Sequence, residues 1–354
     1  MAEYACRVGA QMFFRSKLRS VTVLAATILC FLANTREASA HVKWFCAYNV
    51  AGQPRGLENV LCPELEWLVG LSILWLLAGA LFETTPAGHL LIRSLDRVTA
   101  KVEENTNNIL RCTLAFFFIS IWAIGGIILT PELKSTAPIV GIVQLIIVAS
   151  LLFVPTLPIA GLGIIFLFVF AATQYGVFHL ADYPVFLGAA VYLILVGLGR
   201  SFFGMRPLDM LRWAAGITLM WASIEKWAYP EWSFPLLVTH PSMTLGFNAE
   251  LFMRAAGAIE FALAFALVWT PLLARVGAII LAAMFVSAVF EFGKIDMVGH
   301  SGIIAVLIVI AADSKRKQFS LKPFLVPFGY GTAFVATLLA YYVAHSLLYG
   351  STIV

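Results

Sequence analysis

Charge is what this chain has least of. Of its 354 residues only 12% are Asp, Glu, Lys or Arg, about half of the roughly 25% that a water-facing globular surface carries. That shortage excludes soluble enzymes, nucleic-acid binders and disordered scaffolds. Missing too are a phosphate-binding loop, a Cys-x-x-Cys pair and a serine nucleophile motif, so no short motif marks the chemistry. Cysteine is sparse, at five residues. What fills the chain is apolar: 61% hydrophobic residues and a mean hydropathy of +0.92, in windows long enough that the solvent is a bilayer. The net charge of +4 is accounted for by membrane orientation, and membrane lipid, not nucleic acid, is the partner it implies.

The amino terminus has the layout of a secretory signal peptide: basic residues after Met12, the apolar run Val21 to Ala33, and the small triplet Ala38-Ser39-Ala40. Its apolar run is too short to span a bilayer, which needs about 20 residues. Cleavage after Ala40, from a start at either Met1 or Met12, would make His41 the first residue of an exported segment; an uncleaved first helix is the alternative. Cys46 and Cys62 flank a short stretch containing Gly52, Pro54 and Gly56, and a disulfide between them is expected in an oxidising compartment.

Ten apolar segments follow, at about 64–83, 109–130, 137–154, 158–175, 184–199, 208–226, 249–269, 273–292, 299–313 and 324–347. The expected fold is all-α, a polytopic transmembrane helical bundle of about ten spans. With an exported amino terminus, Arg93, Arg97, Lys101, Arg111, Arg200, Arg206, Arg212, Arg275, Lys315, Arg316, Lys317 and Lys322 fall on the cytoplasmic side. Lys43, Arg55, Lys134, Lys226, Arg254 and Lys294 fall outside. Twelve against six satisfies the positive-inside rule and places the chain in a bacterial inner membrane with a periplasmic mature terminus. The divisions are a leader at 1–40, an exported segment at 41–63, a span and cytoplasmic loop at 64–108, four-helix units at 109–200 and 207–313, and a basic loop with the last span at 314–354.

The two four-helix units read as a repeat. Leu110-Arg111 answers Leu211-Arg212, and Gly141-x-x-Gln144 answers Gly257-x-x-Glu260; Thr156, Gly163, Asp182 and Gly188 match Thr270, Gly277, Asp296 and Gly302 at a constant separation of 114. Four spans per unit give both copies one orientation, a parallel repeat. The second unit carries Leu211-Arg212 with Gly216, Ser223-Ile224-Glu225-Lys226, Arg254-x-x-Gly257-x-x-Glu260 and Gly299-His300-Ser301. On these residues it resembles the DoxX family of small bacterial four-helix membrane proteins, the first unit more faintly. The resemblance implies two tandem DoxX-like units and association with redox systems, as for the DoxD subunit of thiosulfate:quinone oxidoreductase, although many members have no assigned activity. The first unit has no Glu225-Lys226 equivalent and carries Gln144 where Glu260 stands, so the resemblance carries no site over to it.

Ionisable groups inside a bilayer are costly and mark functional sites by default. Glu260 lies near mid-span, where loss of solvation favours the neutral carboxyl; it is read either as a proton relay or quinol ligand, or as a tie to a neighbouring helix such as the one carrying Gln144. Glu225, Lys226 and Glu291 join it as catalytic candidates. Glu250 and Arg254 suit an i to i+4 ion pair and Glu291 and Lys294 a similar one, while Lys226 is also read as snorkelling to the interface. His300, Trp227 and Asp296 are the candidates to line a bound cofactor, with a quinone as one expectation.

Histidine supplies the competing reading. His41, His179, His240, His300 and His345 all map to exported ends or loops, and imidazole suits copper. His41, His240, His300 and His345 are the metal candidates, with the free amine of a cleaved His41 as a further donor. Three functions follow: a redox or quinone-linked membrane protein working with other redox membrane or periplasmic subunits, a copper-binding or metal-transporting protein, and an assembly subunit without chemistry of its own.

Overall fold

Proline and glycine punctuate the apolar runs and set where helices begin and end. The computed structural model describes Lys43 and residues 46–315 and 322–352; the leader, His41 and Arg316-Lys317 lie outside them. Among the described residues are fourteen helices and no strand beyond two isolated bridges. They are α1 Leu57–Val60, α2 Pro63–Glu83, α3 Pro86–Glu104, α4 Thr106–Ile124, α5 Pro138–Ser150, α6 Leu157–Tyr175, α7 Val177–Leu180, α8 Pro184–Leu198, α9 Pro207–Ala228, α10 Phe234–Thr239, α11 Ala249–Val268, α12 Pro271–Phe292, α13 Lys294–Ala312 and α14 Val326–Tyr349. Proline opens α2, α3, α5, α8, α9 and α12, where its missing N–H costs nothing and its φ is preset. The Asn248 side chain accepts from the Leu251 N–H at 2.8 Å to start α11.

Each of the ten predicted segments contains a helix. Seven described helical stretches are long and apolar enough to cross a membrane, and α5 and α8 are shorter apolar helices. The chain thus has the helices of a multi-pass membrane protein. The tenth, α9, is held below the hydropathy of the others by Asp209, Arg212, Glu225 and Lys226. One expectation is corrected: the stretch read as a loop within 84–108 is mostly the 19-residue helix α3. Ile92, Leu95, Asp96 and Thr99 share one helical face, and Asp96 and Thr99 both bond Arg275, an attachment that sequence periodicity alone does not reveal.

The helices adjoin in the order α4, α5, α6, α8, α9, α11, α12, α13 and back to α4. This closes a ring in which the connectivity of the first four is repeated by the last four. Outside it, α2 packs on α11, α14 on α2 and α9, and α3 on α13. Loops 46–56, 125–137, 176–183 and 229–248 gather at one end, joined by Arg55 N–H to Ala228 O at 3.0 Å and by the Tyr183 hydroxyl donating to Glu132. The other end is tied by Arg206 to Asp313 at 2.7 Å and by Arg275 to Asp96 and the Ala311 carbonyl.

Candidate functional site: an apolar cavity with buried ion pairs

At the loop-rich end the ring encloses a cavity of about 360 Å³, lined largely by apolar side chains of both four-helix units. Its size falls within the range of small-molecule sites, roughly 300–1,000 Å³. Five of the sequence candidates meet on its wall: Glu225, Lys226, Glu260, Asp296 and His300.

Glu225 and Lys226 lie in the last turn of α9. The Lys226 ammonium lies 2.5 Å from Glu260 Oε2, whose residue is only 7% exposed. This overturns two expectations. Lys226 does not snorkel outward, because a carboxylate inside the bundle draws it in. Glu260 is neither a solitary acid nor tied to Gln144, whose amide instead donates to the Ile127 and Ile128 carbonyls at 2.6 and 3.2 Å. Those carbonyls belong to a loop that turns back over the first unit and needs donors there.

Asp296 and His300 stand one turn apart on α13. The His300 Nδ1–H donates to Asp296 Oδ2 at 2.8 Å, the aspartate is fully buried, and its Oδ1 has no hydrogen-bond partner. The Phe285 ring packs 4.8 Å from the imidazole. A carboxylate on one ring nitrogen fixes the tautomer and leaves Nε2 as the basic nitrogen.

A third polar group went unrecognised in the sequence. Lys43 is buried with its ammonium between Asp182 of the first unit and Glu225 of the second, the latter at 2.7 Å. The rings of Tyr48 and Trp232 lie 5.9 and 5.7 Å from it, within cation–π range. Burial works against the ammonium, but the two carboxylates outweigh it and raise its pKa. Around this core, burial lifts the Glu132 carboxyl to about 7, and burial together with Lys43 lowers His179 to about 3, so the imidazole is neutral. The only signal in the sequence was the match of Asp182 to Asp296. Nothing local told that a lysine expected to lie outside the membrane would turn inward.

The remaining candidates lie elsewhere. Glu291 is exposed and absent from the cavity wall. Trp227 packs on Phe261 and Phe334, with its indole N–H donating to the Arg254 carbonyl at 3.2 Å. The predicted Glu250–Arg254 pair forms at 3.2 Å and extends to Arg55 and Glu64. The described histidines do not converge: His345 bonds Tyr229, Val50 O and Ser351, while His240 bonds Thr239 and the Leu236 carbonyl and packs at a tilt against Phe292. Among the described residues no group of three or more His, Cys, Asp or Glu could hold a metal ion. His41 lies outside them.

The expected disulfide is not formed, and both thiols are free. Cys46 packs against the Leu236–Phe292 cluster while Cys62 caps α2 beside Glu64, so the two are drawn to different neighbours. No protein-family model matches this chain, and neither a curated protein nor a solved structure is detectably similar to it.

Proposed function

We propose that this chain is a bacterial inner-membrane protein, with its loop-rich end exported and two DoxX-like units, whose cavity binds a quinone or quinol head group for a redox process. The observation that carries the reading is the pairing of two polar devices, Asp296–His300 and Lys226–Glu260, on the wall of one mainly apolar cavity. Such a wall suits a flat ring with an oxygen at each end. Pre-placed polar groups orient it and apolar surface supplies most of the affinity. The unpartnered Asp296 Oδ1 adds an acceptor, which a bound hydroxyl would satisfy.

Quinol oxidation releases two electrons and two protons. His300, held by Asp296, is placed to take a hydroxyl proton, and the Glu260–Glu225 side of the wall offers carboxylates for the second. The electrons leave to a partner redox protein. The orientation is supported by the loop-rich end, where Lys43, Arg55, Lys226 and Arg254 are all neutralised by acids.

Titration of purified protein in nanodiscs with a reduced quinone analogue tests the reading. Glu260→Gln and His300→Ala should each weaken binding tenfold or more, about 1.4 kcal/mol. Unchanged affinity in both variants would sink the proposal.

A further inference from the structure

The cavity has the 229–248 loop on one side. Trp232, Ser233, Leu236, Leu237 and Met243 all line that side, and Leu236 is locked to Phe292 with Cys46 and Met243 packed around. Toward the other end α11 and α12 meet so closely that a side chain at Gly277 would stand 3.0 Å from the Leu263 carbonyl and 3.2 Å from Ala266 Cβ. A side chain there would push its neighbours back by a few tenths of an ångström.

Beyond this tight crossing the burial of both helices falls. In α12, Leu272, Leu273, Ala274, Arg275, Gly277, Ala278 and Leu281 are buried, yet none of residues 282–291 is. In α11 the pattern mirrors it: 257–267 are buried apart from Ile259, whereas of 249–256 only Met253 is. Phe252 and Ala256 on this half of α11 and Met284 and Ala288 on that of α12 line the cavity while remaining partly exposed. Apolar wall is therefore continuous from the polar groups to the flank of the bundle, where the bundle meets the bilayer.

We propose that this stretch of wall is a side portal through which the isoprenoid tail of a quinone runs from the cavity into the lipid; the identity of the occupant rests on the function proposed above. Two points on the page favour a tailed occupant over a water-soluble one. A cavity of about 360 Å³ lies at the lower end of small-molecule sites, enough for a ring but not for a long chain. The portal residues are also wholly apolar, and no charged side chain stands among the four that would recruit an aqueous substrate.

Site-directed labelling tests the portal and its occupant separately. In a background with every cysteine replaced by serine, Ala256→Cys and Met284→Cys are introduced one at a time and the protein is placed in liposomes. A lipid-soluble pyrene maleimide should label both at least tenfold faster than a sulfonated, water-soluble maleimide, and Ala264→Cys, buried in the other half of α11, should resist both. Decylubiquinone should slow the labelling at least fivefold. Equal or faster labelling by the sulfonated reagent at both positions overturns the portal. Preference for the lipid-soluble reagent without protection by decylubiquinone overturns the quinone as occupant, and the proposed function with it, while the portal stands.

Discussion

Asp182 and Asp296 occupy matched positions of the two units, are both buried, and line the same cavity, yet they are satisfied in opposite ways. Asp296 has its partner one turn along its own helix, at His300. At the corresponding place in the first unit stands Phe186, and Asp182 takes its counter-charge from Lys43, 139 residues away. The carboxamide and carboxylate of the second matched pair diverge similarly: Gln144 is spent on the backbone of its own unit, whereas Glu260 faces the cavity with Lys226. Even the small residues follow this rule. A side chain at Gly188 would press to 2.3 Å from Ala214 of α9, while nothing lies within 4 Å of one at Gly302, which opens onto the cavity. At these matched positions the first unit spends its polar and small residues on contacts between elements, and the second presents them on the cavity wall.

The comparison breaks most visibly at Lys43. Lys43→Met leaves Asp182 and Glu225 without their cation, and removing one partner of a buried ionic group typically costs about 3–5 kcal/mol. Thermal unfolding in detergent should show that loss, and adding Asp182→Asn with Glu225→Gln should recover most of it. A single variant as stable as the parent would mean that the cluster is not a tie between the units.

A smaller effect separates Gln144 from Glu260. Gln144→Leu strips the Ile127 and Ile128 carbonyls of their donor and should cost roughly 1–3 kcal/mol with quinone-analogue affinity unchanged. Glu260→Gln should do the reverse, changing stability by no more than about 1 kcal/mol, since Lys226 is partly solvated, but weakening binding tenfold or more. Should both variants lose stability alone, the division of labour between the units fails.

The last effect is in pH. The folded state raises Glu132 from 4.5 to about 7, so between those values the folded protein binds more protons at this site than the unfolded chain does. Its contribution to stability therefore falls as pH rises across that window and is level above it, with a slope of at most about 1.4 kcal/mol per pH unit. Unfolding measured from pH 4.5 to 8 should lose this component in Glu132→Gln. An unchanged profile would show that Glu132 is not held protonated.

Much of this protein was legible before any coordinates. A bilayer solvent forces backbone hydrogen bonds to close within each segment, so apolar run length alone located ten helices, and the cost of burying charge singled out Glu225, Lys226, Glu260, Asp296 and His300. What the one-dimensional pattern does not carry is which groups meet. Lys43 looked like one of the outside cations, Cys46 and Cys62 looked like a bridge, Glu291 looked like a catalytic group, and the histidines looked like a set. Each of those readings depended on contacts between elements far apart in sequence, and only the closing of the helix ring decided them. Local patterning sets helices because their hydrogen bonds span four residues; a cavity is set by the distances between helices, which packing alone determines.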